Sequence, residues 1–514
     1  MPPIHRREFL RAAGLVGGAA ILGGPGLVAC SGDSSPTAAS SKNVPRLPLP
    51  PDSVLGHSAK ECPIDTVVVL TMENRSFDHY LGWLAADHQY LEDGRRQYGK
   101  GFRVNARLNE FYLNPFDERV PTRHALDLGD DPSPYRGCNH KDPGHGWNAG
   151  RVQRDFGFLA AGTDNDEFAA SYYLAADLPV QAHIAKRFTV TDRHHASLLG
   201  PTFPNRQYIY SAQSEGLKKS LHPLDFGQYS APTIFEHLAR AGVESAEYFT
   251  NLPIALCWGA RMFPFVRKID AFFADAEAGT LPAVTFVTPW VGGPFRTDDH
   301  PRGDIALGSR FIEAVYTSFI NSPQWNRGMF VLMYDEWGGF FDHVKPPVVP
   351  DARSSSDDFN NFGQLGFRVP SMIASPYARR GYVDHNLYDH TSVLRFLEWR
   401  FLGAPPQGPG KRGDAWFLTR RDRYANNFGA SLRVDKPEPD VDFSPLEFAT
   451  VTARCDDEQR IEELGPDEQK RDAFEPSDLL EEVVRQRYSL PSFTPWLENV
   501  SVEALPVVPD DRPR

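Results

Sequence analysis

The chain has no excess of basic residues. Its 514 residues include 54 Lys and Arg against 67 Asp and Glu, so the formal net charge is −13. Nucleic-acid binding relies on clustered positive charge, and we therefore expect no nucleic-acid partner. The same balance offers no electrostatic attraction to anionic lipid. A zwitterionic or small phosphorylated ligand is compatible with this charge.

Cysteine is scarce as well. The sequence has five cysteines, and no two of them stand in the CxxC spacing that would indicate a zinc site. Four of them, Cys62, Cys138, Cys257 and Cys455, could form two disulfides in any of three pairings, as an exported protein permits. The alternative is four free thiols buried in a large core. The fifth cysteine, Cys30, belongs to a different segment.

A long apolar stretch occurs near the N-terminus, over residues 12–29, and glycines and Pro25 interrupt it. The preceding residues 5–11 (HRREFLR) resemble a twin-arginine export signal, and the interrupted stretch suits a cleavable signal better than a membrane-spanning helix. The stretch ends in residues 27–30 (LVAC), which resemble a bacterial lipobox. Residues 1–30 are therefore predicted to be a twin-arginine signal with a lipobox.

Acylation of Cys30 would attach the mature protein to a membrane surface. Residues 31–62 are rich in Ser and Pro and are predicted to form a tether between the anchor and the domain. We expect a domain exported by the twin-arginine pathway and lipid-anchored to the cell envelope, in the periplasm or outside the cell. A plain signal peptide with a chance cysteine is the alternative.

Short apolar runs alternate with amphipathic segments over residues 63–402, the predicted catalytic domain. Strands are predicted at 67–72, 188–191, 283–287, 329–334 and 369–374, and helices at 232–241, 305–321 and 391–400. This alternation predicts an α/β fold with a doubly wound, mostly parallel sheet flanked by helices. Residues 86–160 are predicted to form a loop-rich insertion that could serve as a substrate lid, and residues 403–514 a C-terminal extension wrapping the body.

Two of the apolar runs each end in a pair of oxygen-bearing side chains. Residues 67–72 (VVVLTM) precede Glu73 and Asn74, and residues 329–334 (MFVLMY) precede Asp335 and Glu336. Parallel sheets place their ligand sites just beyond the carboxyl ends of the strands, so these four side chains should converge. Carboxylates that are crowded together repel each other unless a cation lies between them, which predicts a divalent metal ion.

A hydroxyl group stands in the segment GPTFPNR, residues 200–206. Pro204 suits the first turn of a helix, which puts Thr202 at or near the N-cap. A hydroxyl there faces the positive end of the helix dipole, where an alkoxide and an approaching phosphate are favoured. Thr202 is therefore a candidate nucleophile, and simple helix capping is the alternative.

Several separated motifs occur together. They are VVVLTMENRSFDHY at 67–80, the segment 192–206, DDHP at 298–301 and DEWGGFFDHV at 335–344, with further matches at 143–147, 177–179 and 388–392. In this order they resemble the bacterial phosphoesterase family of non-zinc-type phospholipases C and acid phosphatases, within the alkaline-phosphatase-like superfamily. The resemblance spans residues 63–402 and implies an alkaline-phosphatase-like fold.

The resemblance also implies a role for each matching residue. The implied metal ligands are Glu73, Asn74, Asp335, Glu336 and the hydroxyl of Thr202. The implied catalytic residues are Thr202 as nucleophile, with His145, Asp299 and His300 near the phosphoryl or leaving group. A supporting role around them is implied for Asp342, His343, His195 and Arg206. One divalent ion is expected as cofactor, with Ca, Mg, Mn and Zn all chemically acceptable.

The expected activity is metal-dependent hydrolysis of a phosphoester. The leading prediction is a phospholipase C that cleaves phosphatidylcholine-type lipids to diacylglycerol and phosphocholine through a phosphothreonine intermediate. An exported acid phosphatase or phosphodiesterase for small soluble phosphoesters is the first alternative, and a non-catalytic, lipid-anchored binding protein is the second. Trp337 stands where a smaller or polar residue is expected, which would narrow the pocket. The sequence leaves the oligomeric state open.

Overall fold

Eight strands pair into one mixed sheet at the centre of the protein. Their spatial order is β13 (Tyr382–Asp384), β6 (Thr189–Thr191), β12 (Ser371–Ala374), β11 (Gly328–Tyr334), β1 (Thr66–Met72), β10 (Val284–Thr288), β8 (Ser245–Phe249) and β9 (Val266–Lys268). Strand β12 runs antiparallel to β11 and β6, and the other neighbouring pairs are parallel. The prediction of a mostly parallel α/β sheet is confirmed.

The computed structural model describes residues 44–108, 111–113, 119–129, 133–220, 227–292, 296–403, 416–441, 443, 446–448 and 455. These residues belong to one unit, residues 40–514. The signal predicted for residues 1–30 and the first part of the predicted tether, residues 31–43, lie outside the described residues, whereas residues 44–62 are described. Among the described helices, none is both long and apolar enough to cross a membrane.

Helices flank the sheet. In chain order they are α1 (Phe77–Leu81), α2 (His88–Tyr98), α3 (Trp147–Phe156), α4 (Pro179–Arg187), α5 (Thr202–Ser211), α6 (Ile234–Arg240), α7 (Ile269–Ala278), α8 (Ile305–Ile320), α9 (Thr391–Leu397) and α10 (Arg420–Tyr424). Helix α9 continues into one π-helical turn, Glu398–Leu402. Three further strand pairs lie outside the sheet: β2 (Phe111–Leu113) with β3 (Arg119–Pro121), β4 (Arg123–His124) with β5 (Ser171–Tyr172), and β7 (His194–His195) with β14 (Tyr388–Asp389).

The central strands are apolar along their whole length because both faces of the sheet are covered. Every residue of β1, β10 and β11 is buried. Interior strands of parallel sheets read as continuous hydrophobic runs for this reason. The predicted strands at 67–72, 283–287 and 329–334 thus correspond to three adjacent strands at the middle of the sheet.

The insertion at 86–160 contains regular structure that its weak periodicity did not predict. Helix α2 is largely polar, and Tyr90 and Gly94 are its buried residues, so its apolar face is narrow and the sequence did not predict it. Helix α3 begins two residues after His145 and orients the segment that carries this histidine. The insertion therefore supplies one of the histidines of the site described below, and its role as a lid stays a prediction.

The two ends of the described chain pack on the body together. The backbone N–H of Val54 donates to the carbonyl of Leu432 at 3.0 Å, and Val54 is fully buried. Cys138 in the insertion is disulfide-bonded to Cys455, whereas Cys62 and Cys257 are buried free thiols. The cysteines thus divide between the two alternatives that the sequence left open, with one disulfide and two thiols.

Candidate active site

Glu73 and Asn74 after β1 lie next to Asp335 and Glu336 after β11, because the two strands are parallel neighbours in the sheet. Met72 lies opposite Tyr334, so the residues that follow each strand leave the sheet side by side. The backbone N–H of Asn74 donates to Oδ1 of Asp335 at 3.2 Å. Asn74 has a φ of 59°, in the left-handed region that Asn tolerates better than most residues. The predicted convergence is therefore present.

One guanidinium joins the two sides of this acidic cluster. Arg206 donates from Nε to Oδ2 of Asp335 and from Nη2 to Oε1 of Glu73, each at 3.1 Å. All of these groups, and the neighbouring Glu336, are buried. In the contacts described, this guanidinium faces three carboxylates, and buried charges of this kind are screened poorly.

Glu336 carries the clearest sign of this imbalance. Burial, followed by the negative charge of Asp335, raises the pKa of Glu336 well above its ordinary value. Its Oε2 accepts the N–H of Gly338 at 2.7 Å, while its buried Oε1 has no hydrogen-bond partner in the described part of the chain. Buried polar atoms are nearly always satisfied, so an unmatched carboxylate oxygen in an acidic cluster fits a divalent cation.

Thr202 is the first residue of α5, and Pro201 occupies the N-cap position. The expected place of Thr202 at or near the helix start is confirmed. Its hydroxyl donates to Oδ1 of Asn74 at 3.4 Å, which puts it beside the acidic cluster. Asn205 holds the preceding turn, since its Nδ2 donates to the carbonyl of Gly200 at 2.7 Å. The hydroxyl is therefore fixed between the positive end of a helix and the buried carboxylates.

His145 enters the site from the insertion. Its Nδ1 donates to the carbonyl of Pro143 at 2.7 Å, and its Nε2 lies 3.3 Å from Nδ2 of Asn74 and 3.8 Å from Oε1 of Glu336. The ring of His300 meets that of His145 edge to face at 5.7 Å between centroids. His145 therefore lies beside the carboxylate cluster, and His300 lies against the ring of His145.

The carboxyl group of Asp299 lies against Tyr334 and Gly308. Its Oδ2 accepts the hydroxyl of Tyr334 at 2.6 Å, and a Cβ added to Gly308 would lie 1.7 Å from its Oδ1. Burial raises the pKa of Asp299 to about 7, although the Tyr334 hydroxyl and Arg75 oppose this. No described contact joins its carboxyl group to Thr202. The side chain thus lies behind the site, between β11 and α8.

The remaining residues from the sequence prediction occupy structural positions. His195 donates from Nδ1 to the carbonyl of Gly366 at 2.9 Å, and burial lowers its pKa to about 3. Asp342 and His343 form a separate cluster with Asp78, and Arg368 donates into it from Nε and Nη2 at 2.9–3.0 Å. Arg206 is the member of this group that directly contacts the predicted metal ligands.

Trp337 packs in the interior of the protein. Its side chain is fully buried in an apolar cluster with Phe158, Leu199, Phe341 and Phe367. Its indole Nε1 donates to Oε1 of Gln153 on α3 at 2.7 Å. The residue therefore fixes the insertion to the turn after β11, where the sequence had suggested a narrower pocket.

Two neighbours of the site were missed in the sequence. Asp142 lies with His145 and His300 in a group whose ligand atoms are all within 4.8 Å of one another. His390 donates from Nε2 to the backbone carbonyl of Asp335 at 2.5 Å, and its Nδ1 lies 3.3 Å from Nε2 of His194. His390 stands within a motif that matched the family and Asp142 directly precedes another, and this position in the sequence was the available signal.

The fold and the site together define an α/β enzyme with a hydroxyl group beside buried carboxylates, an arrangement suited to phosphoester cleavage. The model of the phosphoesterase family matches residues 64–402. The chain belongs to the phosphoesterase family, and it is a phosphoric ester hydrolase. The family resemblance stated from the motifs is thereby confirmed.

Similar proteins include plant and bacterial phospholipases. Non-specific phospholipase C6 of Arabidopsis thaliana is 31% identical over 432 residues, which cover 76% of this chain and 77% of that protein. Phospholipase C A of Mycobacterium tuberculosis is 30% identical over 407 residues, with 68% and 76% covered. Non-hemolytic phospholipase C of Pseudomonas aeruginosa is 28% identical over 426 residues, with 71% and 58% covered.

Solved structures resemble the chain only distantly. A protein in the alkaline phosphatase superfamily from Vibrio parahaemolyticus aligns over 44% of this chain and 60% of its own, with 9% identity and a TM-score of 0.28. A 2-O GAG sulfatase, BT1596, aligns over 48% and 70%, with 13% identity and a TM-score of 0.30. Similarity at this level adds nothing to the assignment of the site.

Proposed function

We propose that the protein is a metal-dependent phospholipase C that cleaves phosphatidylcholine-type lipids to diacylglycerol and phosphocholine. One observation carries the reaction type. Thr202 is the first residue of helix α5, and its hydroxyl donates to Oδ1 of Asn74 beside three buried carboxylates. The names of the plant and bacterial relatives support a phospholipase C in particular.

The nucleophile in this proposal is Oγ1 of Thr202. It attacks phosphorus, the bond to the diacylglycerol oxygen breaks, and phosphocholine is held on Thr202 until water releases it. Glu73, Asn74, Asp335 and Glu336 would hold a divalent ion, which supplies charge neutralisation and a lower hydroxyl pKa when bound. The helix N-terminus faces the phosphoryl oxygens. His145, whose Nε2 faces the cluster, would accept the proton of the Thr202 hydroxyl and pass it to the departing diacylglycerol oxygen.

Features near the site favour a lipid over a small soluble ester. Phe359 is 48% exposed, its carbonyl accepts the indole N–H of Trp147 at 3.0 Å, and Trp147 stands two residues from His145. An exposed aromatic ring at this position can enter the apolar part of a lipid surface.

The location proposed for the enzyme follows from its N-terminal sequence. Residues 5–11 and 27–30 support twin-arginine export and acylation of Cys30, which would hold the catalytic domain at a membrane surface in the cell envelope. Expression of the full chain and of Cys30→Ser in a bacterial host, followed by membrane fractionation, tests this. We expect the wild type in the membrane fraction and the variant in the soluble exported fraction. Equal distribution of the two would refute anchoring at Cys30.

Purified enzyme assayed on a substrate panel tests the reaction. The panel compares phosphatidylcholine vesicles, sphingomyelin vesicles and an aryl phosphate, for the wild type, Thr202→Ala and Thr202→Ser. Thr202→Ala should lose at least about 10³-fold in kcat/KM, and Thr202→Ser should keep part of the activity because it retains a hydroxyl. Ser211→Ala, at the other end of α5, controls for damage to the helix. Full activity in Thr202→Ala would rule out the nucleophile.

The same panel separates the lipid from the soluble substrate. Phe359→Ser should lower activity on phosphatidylcholine vesicles several-fold and leave hydrolysis of the aryl phosphate unchanged. A wild type that hydrolyses the aryl phosphate and ignores both vesicles would instead identify an acid phosphatase. A wild type inactive on the whole panel, with and without added divalent ions, would favour a binding protein.

A further inference from the structure

We propose that Trp147, Phe359 and Phe362 form an aromatic cage for the quaternary ammonium group of the lipid headgroup, and that Lys218 occupies this cage until a headgroup displaces it. The identity of the headgroup rests on the proposed function, in which a phosphatidylcholine-type lipid is cleaved. Binding of a quaternary ammonium group by the cage requires no hydrolysis, so the cage can be tested separately.

Three aromatic rings surround the ammonium group of Lys218. Its Nζ lies 5.0 Å from the ring centroid of Trp147, 5.3 Å from that of Phe359 and 5.9 Å from that of Phe362. The ring of Trp147 is itself 6.4 Å from the ring of Phe359 and 5.0 Å from the ring of Phe362, between centroids. A cation within about 6 Å of an aromatic centroid is attracted by the ring face. Three such contacts on one ammonium group define a cage for a cation.

The cage lies next to the groups proposed to react. Trp147 is two residues after His145, and a Cβ added to Gly200 would lie 3.3 Å from Cε3 of the Trp147 ring. Gly200 in turn precedes Thr202, the proposed nucleophile, by two residues. In phosphatidylcholine a short ethylene link joins the phosphate to the ammonium group, so this group must bind close to the phosphorus. The position of Trp147 between the two segments therefore suits a headgroup whose phosphorus lies at Thr202.

The backbone fixes the walls of the cage. The indole N–H of Trp147 donates to the carbonyl of Phe359 at 3.0 Å, and the carbonyl of Phe362 accepts a hydrogen bond from Nη2 of Arg421 at 2.6 Å. The side chains of Trp147 and Phe362 are buried, whereas Phe359 is about half exposed. Two walls are thus held in the interior and the third faces solvent. A headgroup can enter on the side of Phe359, and little ordering of the rings is needed to bind it.

Lys218 is the cation that can leave. It is half-buried, and its Nζ donates to Oδ1 of Asn360. Arg151 also packs against Trp147, with Cζ 3.7 Å from the ring centroid, but its Nη1 donates to the carbonyls of Trp147 and Leu199 at 2.9 Å each. Arg151 is therefore held in place by the backbone. The ammonium of a lysine is compact and strongly hydrated, so it gains more on return to water than a trimethylammonium group does. Exchange of one for the other favours the quaternary ammonium in the cage.

Negative charge acts at the same position. Oδ1 of Asp357 accepts the backbone N–H of Phe359 at 3.1 Å, which puts a carboxylate beside the open wall. Burial lowers the pKa of Arg151 to about 10, and the negative charges of Asp358, Asp155 and Asp357 oppose this fall. These carboxylates therefore reach the cations that pack on the cage. They favour a cationic headgroup over a neutral or anionic one.

Ligand-observed proton NMR tests the cage with free choline, so neither a metal ion nor hydrolysis is needed. Ring faces shift the N-methyl protons of a bound choline upfield. The wild type should bind choline with this shift, and Lys218→Ala should bind it about two- to fivefold more tightly, because the competing ammonium group is gone. The tert-butyl analogue of choline, in which carbon replaces nitrogen, has the same shape without the charge. It should bind both proteins more weakly than choline.

Phe359→Leu separates the cage from a general contact with lipid. Leu keeps an apolar side chain at this position but has no ring face, so the affinity for choline should fall about two- to fivefold. Phe156→Leu is the matched control, because Phe156 is an exposed ring at the end of α3 and is not one of the three cage residues. It should leave the affinity for choline unchanged. Thermal unfolding verifies that each variant is folded.

Several results would overturn the proposal. The cage would be refuted by the lack of an upfield shift in Lys218→Ala, by equal affinity for choline and its neutral analogue, or by unchanged affinity in Phe359→Leu. Equal affinity for choline in the wild type and Lys218→Ala would refute the displacement of Lys218. Cleavage of phosphatidylcholine without choline binding would refute the cage and leave the proposed function standing. Choline binding by a protein that cleaves no lipid would refute the proposed function and leave the cage standing.

Discussion

Replacing Asp299 by Asn should change how stability depends on pH. Asp299 is buried, its Oδ2 accepts the Tyr334 hydroxyl, and its Oδ1 has no hydrogen-bond partner in the described part of the chain. Asn can accept the same hydrogen bond through its side-chain carbonyl. It also tolerates the φ of 73° found at this position. The substitution thus removes the ionisable group with little change of shape.

The magnitude follows from the shift in pKa. Burial raises the pKa of Asp299 from 3.8 to about 7, so the folded protein binds a proton here that the unfolded chain releases between these values. The stabilisation by this proton is complete below about pH 4, decreases as the pH rises and is lost above pH 7. At about 1.4 kcal/mol per pKa unit, the wild type should lose about 4 kcal/mol relative to Asp299→Asn between pH 4 and pH 8.

Urea unfolding of both proteins at one-unit intervals from pH 4 to pH 8 measures this difference. Subtraction of the two curves cancels the titration of every other group, because the proteins share all of them. The difference in unfolding free energy should grow steadily up to pH 7 and then level off. Parallel curves over the whole range would refute the reasoning, since they would mean that Asp299 ionises with the same pKa in both states.

Three further outcomes are expected. Gly339→Ala should reduce both stability and kcat/KM, because its Cβ would lie 2.7 Å from Pro143. Gly242→Ala has a similar φ, 72° against 74°, and open space, so it should show only the backbone strain of about 1–2 kcal/mol. If Gly339→Ala and Gly242→Ala lost the same unfolding free energy in urea, a steric cause for the effect of Gly339→Ala would be contradicted. Arg206→Met should lower the unfolding free energy by about 3–5 kcal/mol, because two buried carboxylates lose their partner; an unchanged urea midpoint would argue against this. Cys138→Ser should lower the unfolding free energy by about 2–5 kcal/mol, and the reduced wild type should be as stable as the variant. No difference between oxidised and reduced wild type would show that the disulfide does not stabilise the fold.

The sequence predicts the centre of the site well and its surroundings poorly. Glu73 and Asp335 could be placed because each follows a continuous apolar run, and such runs become neighbouring interior strands. Arg206 could be assigned to the vicinity, but its bonds to both carboxylates depend on how α5 lies across the strand ends. The approach of Asp142 to His300 is set by the insertion, whose short and largely polar helices were not predicted from the sequence.

Asp299 shows a different limit of sequence reasoning. Its motif, DDHP, placed the whole segment at the site, and His300 is there. The left-handed backbone at Asp299 turns its side chain away, into space that Gly308 leaves on helix α8. A motif locates a loop, whereas the direction of each side chain depends on backbone angles and on packing partners distant in the sequence.

The disulfide between Cys138 and Cys455 has a consequence for proteolysis. The two cysteines are 317 residues apart, and the covalent loop they close contains His145, Thr202 and Asp335. A protease that cuts the chain once within this loop leaves the two pieces covalently joined. Glu73, which precedes the loop, stays joined to both pieces through Cys138. A nicked enzyme would therefore migrate at full length without reductant and retain every residue of its active site in one molecule.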